Sequence, residues 1–145
     1  MATKRAVVEQ LQGISFAGKT ESNHWIMMDG PAEFGGSDAG VRPKELVLLA
    51  LAGCTGSDVV TILRKKRVPI DGFRVEITAE QAEEHPLVYK SIHLDFVLQG
   101  EDIKAADVER AIELSETKYC SVSAMLRPAV RITHAYRIES SAAVR

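Results

Sequence analysis

Short apolar runs bounded by glycines open the chain, at residues 6–12, 14–16 and 24–28, with Gly13, Gly18 and Gly30 between and after them. Runs of that length between turn formers predict antiparallel strands. Residues 30–40 read as a loop on composition, which its glycines should leave mobile and well placed to cover a site. Arg42 and Pro43 then open a helix predicted over 43–66. Proline in a first turn loses no hydrogen bond, and Val68-Pro69 stops the helix. From Leu46 to Ala52 it is apolar nearly all round, which predicts burial on most faces.

A period of two returns after the helix. Phe73, Val75, Ile77 and Ala79 alternate with Arg74, Glu76, Thr78 and Glu80, and Ile92, Leu94, Phe96 and Leu98 alternate with His93, Asp95, Val97 and Gln99. Each set predicts a half-buried strand, with 81–86 as the hairpin connection. A second helix over 103–117 places Val108, Ala111, Ile112 and Ser115 on one face. A short helix near Cys120 should end before Pro128, a last strand fills 130–138, and the tail from Ser140 should fray. Strands, a long apolar helix, strands, a helix and a strand together define an α+β chain, with helices packed on one face of the sheet.

The length of 145 residues predicts one domain over 1–145. A net charge of −2 carries no basic footprint, so nucleic acid is not an expected partner. No apolar signal-peptide core follows Met1, and the longest apolar run, 46–52, is too short to cross a bilayer. The expectation is a cytoplasmic protein with no membrane partner. The basic run from Arg64 to Arg67 reads as a solvated turn at the negative end of the helix dipole.

Cys54 and Cys120 are the two cysteines, far from Cys-x-x-Cys spacing. In a reducing compartment, paired thiols are more often redox-active than structural. On its helix Cys54 has Ala50, Leu51, Ser57 and Asp58 three or four residues away. None is cationic, and an apolar setting disfavours thiolate, so an activating cation must come from a loop or another chain. Gly53 and Gly56 flank it, each costing about 1 kcal/mol against alanine in a helix interior. They suggest that another backbone or a substrate comes close; plain helix packing around a small thiol is the competing reading. Cys120, at a helix start and two residues after Lys118, is the easier to activate. The competing reading there is a small buried residue. Nothing in the sequence brings His24, His85, His93 or His134 to either thiol, so no metal and no cofactor is expected.

Three segments carry a resemblance. Arg42-Pro-Lys-Glu-Leu-Val-Leu-Leu-Ala-Leu-Ala-Gly-Cys54 is similar to the opening of the central helix in the OsmC/Ohr family. The stretch from His85 to Gly100 resembles that family's central strand, and the stretch from Ala111 through Cys120 to Met125 resembles the part holding its second cysteine. The likeness runs from about Pro43 to Ile138 and includes both thiols in order. It implies antiparallel sheets wrapped around a long central buried helix, in an intertwined homodimer. It further implies that Cys54 is the peroxidatic thiol, attacking a small organic hydroperoxide to give a sulfenic acid. Cys120 is then the resolving thiol that closes a disulfide, which a dithiol reductant reopens.

Two positions depart from the family pattern. Its peroxidases hold a glutamate ten residues before the first cysteine, where this chain has Lys44. Glu45 stands one place later, turned by about 100° and on the order of 14 Å along the axis from Cys54. Contact of either residue with that thiol would have to come from a second chain. The family's loop arginine has no counterpart in 30–40, and Arg42 is the nearest substitute. Arg42 and Lys44 are therefore the candidate thiolate-stabilising cations, against the reading that both are solvated residues at a helix start. The same departures keep two alternatives open: a redox-responsive or apolar-ligand-binding dimer without turnover, and a structural dimer with inert cysteines.

Overall fold

The computed structural model describes residues 1–141, in two compact units that divide at Leu48 and Leu49. The first unit is an antiparallel sheet of β1 (Ala6–Gln12), β2 (Ser15–Thr20) and β3 (Trp25–Met28), in that order. Gly13 turns the chain between β1 and β2 at φ +54°, where a side chain would be strained and a Cβ would lie 2.7 Å from the Gly35 carbonyl oxygen. Gly18 does not end a strand as expected. It sits mid-β2 opposite Val8, where a Cβ would meet the Met28 side chain at 3.2 Å, so close packing explains the glycine.

The loop after β3 is tied down by one side chain. Asp29 is 2% exposed, and its carboxylate accepts Ser15 Oγ at 2.7 Å and the backbone N–H groups of Gly30, Ser37 and Ala39 at 2.7, 3.2 and 3.1 Å. The Ser15 bond, with the three N–H donors behind it, holds the Asp29 pKa down at about 2 against the desolvation that would raise it. The 30–40 segment is thus organised around a buried charge, and carries one 3₁₀ turn at Ala32–Phe34.

α1 (Glu45–Lys65) begins two residues later than predicted. Residues 42–44 form a leading turn, in which the Arg42 N–H donates to Glu45 Oε2 at 3.1 Å. Glu45, the acid closest in sequence to the family glutamate's position, therefore caps its own helix.

In the second unit, β4 (Gly72–Gln81) and β5 (Tyr89–Gln99) pair antiparallel, with Phe73 opposite Leu98 and Ile77 opposite Leu94. β6 (Arg131–Glu139) joins the other edge of β5 in parallel, Ile92 beside Ile132 and Leu98 beside Ile138. This one pairing departs from the all-antiparallel expectation. The physical reason is the connection: α2 (Ala105–Leu114) and α3 (Ser121–Leu126) lie between β5 and β6, long enough to carry the chain back to the start of the sheet. β5 is the central strand, and Ile92, Leu94, Phe96, Val97 and Leu98 are at most 1% exposed. Val108, Ala111 and Ile112 of α2 are buried as the pattern predicted. Residues 142–145 of the tail expected to fray lie outside the described residues.

α1 corrects one expectation. It buries a single stripe of Leu51, Thr55, Gly56, Val59 and Leu63, spaced by about one turn, and leaves Leu49 55% exposed. A helix apolar all round but covered on one side, within this one chain, keeps an unpartnered apolar face. By length and composition it could also cross a membrane. Full burial of Leu51, Val59 and Leu63 within the fold is instead the pattern of a core helix.

Candidate functional site

Cys54 sits in the second unit on α1, one turn before Asp58. It is half-buried, whereas Cys120 is 3% exposed, and both thiols are free. The chain reaches Cys120 through a wide π-type turn, Ser115–Tyr119, that continues α2. Cys120 is the N-cap of α3, its Sγ accepting the Ser123 N–H at 3.3 Å.

Ser115 organises the centre. Its carbonyl accepts the Cys120 N–H at 2.8 Å, and its hydroxyl donates to Asp58 Oδ2, also at 2.8 Å. One residue on α2's extension therefore fixes both the backbone of the second thiol and the carboxylate below the first. The result is a cluster in which Cys54 Sγ, Cys120 Sγ and an Asp58 carboxylate oxygen lie within 4.8 Å of one another. The sulfurs come from segments 66 residues apart in sequence (120 − 54) and meet as the resemblance implied.

Electrostatics at Cys120 run against the expectation. Burial pushes its pKa up to about 11; the Ser123 N–H works the other way, and the neighbouring Cys54 and Asp58 add to the rise. The N-cap position alone favours thiolate, but a helix of six residues offers one N–H to the sulfur and desolvation outweighs it. Lys118 Nζ lies 5.2 Å above the Tyr119 ring centroid, in a cation–π contact. Ser123 Oγ, fully buried beside this thiol in sequence, has no hydrogen-bond partner among the described residues.

The candidate cations belong to the first unit. The Arg42 guanidinium donates to Asp38 Oδ1 at 2.6 Å and to the Gly40 carbonyl at 3.2 Å. Lys44 lies in the turn that leads into α1. Among the described histidines, His93 bonds Thr133 Oγ1 at 2.7 Å and His134 approaches Glu116 at 2.7 Å. Neither stands in the thiol cluster, whose third member is a carboxylate.

Asp58 is the member that sequence reasoning missed. Its spacing from Cys54 was visible, since four residues on a helix share a face. What the sequence did not show was that Ser115 and Cys120 fold over the same turn. Of the two glycines beside the thiol, Gly56 would place a Cβ 3.3 Å from Phe73 and Val75 of β4, so close sheet packing accounts for it. Gly53 has open space before it and lines a broad concavity of about 670 Å³ with Leu49, Ala52, Val60 and Phe73. A narrower cavity of about 290 Å³ opens beside Asp58, walled by Thr61, Ile62, Lys65, Leu114 and Tyr119.

The fold and the site define an α+β protein with a paired-thiol centre, one thiol on a long helix and the other at the start of a short one. Residues 35–135 match the family model described as OsmC-like protein. The chain belongs to the OsmC-like family. It is 42% identical to Protein YhfA of Escherichia coli K12 over 134 residues, covering 92% of this chain and 97% of that relative. The crystal structure of a hypothetical protein from Aquifex aeolicus is 30% identical, with a TM-score of 0.80 over 96% of this chain and 99% of that one. An organic hydroperoxide resistance protein from Legionella pneumophila shares the fold at 15% identity, with a TM-score of 0.68 over 94% and 97% of the two chains.

Proposed function

We propose that this protein reduces small organic hydroperoxides in the cytoplasm with Cys54 and Cys120 as a thiol pair. The observation that carries the reading is the approach of the two sulfurs to within 4.8 Å, close enough for side-chain rotation to join them. Membership of the OsmC-like family and the fold shared with the organic hydroperoxide resistance protein from Legionella support it.

The Cys54 thiolate attacks the distal oxygen of ROOH. The O–O bond breaks, Cys54 becomes a sulfenic acid, and the alkoxide leaves as ROH after taking a proton. Cys120 sulfur then attacks Cys54 sulfur; the S–O bond breaks, water leaves and the disulfide forms. The Asp58 carboxylate is the acceptor in reach for the proton Cys120 gives up. A small dithiol reopens the disulfide by exchange and is itself oxidised. The cation that Cys54 requires is assigned to Arg42 or Lys44 of a second copy of the chain, in a homodimer covering the open face of α1.

Purified protein supplied with cumene hydroperoxide and a dithiol should turn over, and Cys54→Ser should lower kcat/KM by roughly a thousandfold or more. Absence of turnover by the wild type with every dithiol tried defeats the reading.

One observation favours a second reading. The charged group beside the thiols is a carboxylate, which repels a thiolate. A redox-responsive dimer that closes its disulfide once, without rapid recycling, fits that charge. Stoichiometric oxidation by peroxide with no dithiol-dependent turnover identifies this case.

A further inference from the structure

We propose that Cys54, Cys120 and Asp58 form a three-ligand site for a thiophilic divalent cation of the Zn²⁺ class, bound by the reduced protein and expelled when the disulfide closes. Thiolate sulfur is a donor that such ions select, and carboxylate is a harder one that zinc also accepts. With Zn–S near 2.3 Å and Zn–O near 2.0–2.2 Å, tetrahedral ligand atoms lie roughly 3.5–3.8 Å apart. The three atoms here fall within 4.8 Å of one another, so small side-chain rotations converge them.

The surroundings add what a donor set alone lacks. The Ser115 hydroxyl holds Asp58 Oδ2 at 2.8 Å, and the Ser123 N–H holds Cys120 Sγ at 3.3 Å. Those are outer bonds of the kind that orient ligands and leave them negative. Of the three ligands, Asp58 borders the cavity of about 290 Å³, so the cluster is reached from that side through the carboxylate. The local charge also fits: a carboxylate facing two thiols is unfavourable for naked thiolates and favourable for a dication between them.

Binding exchanges two thiol protons for the ion: Zn²⁺ joins two thiolates and the carboxylate as 2H⁺ leave. An organic hydroperoxide reverses it. The two thiolates give up two electrons and form the S–S bond, ROOH takes those electrons and 2H⁺ to become ROH and water, and Zn²⁺ returns to solution. The release step rests on the hydroperoxide reading; the binding step does not.

The test is an anaerobic titration of reduced, metal-stripped protein with Co²⁺ and then Zn²⁺. The expected result is one Co²⁺ per chain, with a thiolate-to-cobalt charge-transfer band and tetrahedral ligand-field bands, both erased by one equivalent of Zn²⁺. Cys54→Ser and Cys120→Ser should each remove most of the charge-transfer intensity. Asp58→Asn replaces a direct, charged ligand and should weaken binding by more than the roughly tenfold that loss of an outer partner alone costs. Folded, disulfide-oxidised wild type should bind none, which covers the case of a variant that fails to fold. Cumene hydroperoxide added to the Zn²⁺ form should release one ion per disulfide. No charge-transfer band in the reduced wild type, an unchanged band in both cysteine variants, or full affinity in Asp58→Asn overturns the site. Zn²⁺ binding in a protein without peroxide turnover overturns only the enzyme reading, and turnover without metal binding overturns only the site.

Discussion

Ser115 Oγ donates to Asp58 Oδ2 at 2.8 Å, while the Ser115 carbonyl accepts the Cys120 N–H at the same distance. This double engagement sets the second thiol over the first, because Asp58 lies one helical turn beyond Cys54. Ser115→Ala leaves a half-buried carboxylate oxygen without its donor but keeps the backbone bond. Disulfide closure should slow while overall stability falls by about 1–3 kcal/mol. Stopped-flow thiol loss alongside urea unfolding separates the two effects.

The roles of the two sulfurs are separable chemically. In Cys120→Ser, one equivalent of organic hydroperoxide should leave a sulfenic acid on Cys54, trapped by dimedone and mapped by mass spectrometry. In Cys54→Ser no adduct should form on Cys120 under the same pulse, since burial keeps that thiol protonated. A dimedone adduct on Cys120 reverses the assignment.

The pH dependence of Cys120 follows from its raised pKa. In reduced, metal-free protein its alkylation should be slow at neutral pH and climb steadily toward pH 11, as the buried thiol yields its proton. Asp58→Asn removes a negative neighbour, so the pKa falls and alkylation at pH 8 accelerates. Iodoacetamide rates across pH 7–11 check the sign; equal rates in the two proteins would mean that Asp58 exerts no field on the thiol.

Asp29 makes an acid-side prediction for the first unit. Its folded pKa, about 2, lies below the ordinary carboxylate value of 3.8. The stabilisation it provides is therefore fully present above pH 4 and is lost as pH falls from about 4 toward 2. Trp25, the one tryptophan, lies on β3 and reports this unit by fluorescence. Asp29→Asn should be less stable at pH 7 and should lose less than wild type between pH 4 and 2.

The open face of α1 predicts self-association. Leu49→Asp places a charge on the exposed apolar stripe beside Gly53 and Val60. If a second copy covers that face, the substitution should cost about 2 kcal/mol or more, roughly thirtyfold in dimer Kd. Sedimentation velocity reads the change; a wild type that stays monomeric at high concentration refutes the dimer.

Much of this arrangement was legible in the residues. Phe73 to Glu80 and Ile92 to Gln99 alternate because β4 and β5 each turn one face to the core, and Val108, Ala111 and Ile112 recur at helical spacing because α2 packs by one stripe. The position of Cys120 at a helix start was also visible, and Pro128 marked where that helix had to end. The direction of β6 was not, since periodicity says which face a strand buries and nothing of its partner's polarity. Asp58 escaped as a site residue because its significance depends on Ser115, 57 positions away. The Cys120 environment was misjudged for the same reason: a local dipole is readable in sequence, whereas the burial that outweighs it is a tertiary property. Apolar α1 was expected to be covered, and within one chain only a stripe is.

The most direct test follows hydroperoxide and thiols together. Reduced, metal-free wild-type protein mixed with limiting cumene hydroperoxide should consume one molecule of oxidant for each Cys54–Cys120 disulfide found by peptide mapping, and a dithiol should then restore both thiols for another round. Cumene hydroperoxide left intact beside two reduced thiols, or oxidised protein in which those two sulfurs are joined to other partners, would contradict the account.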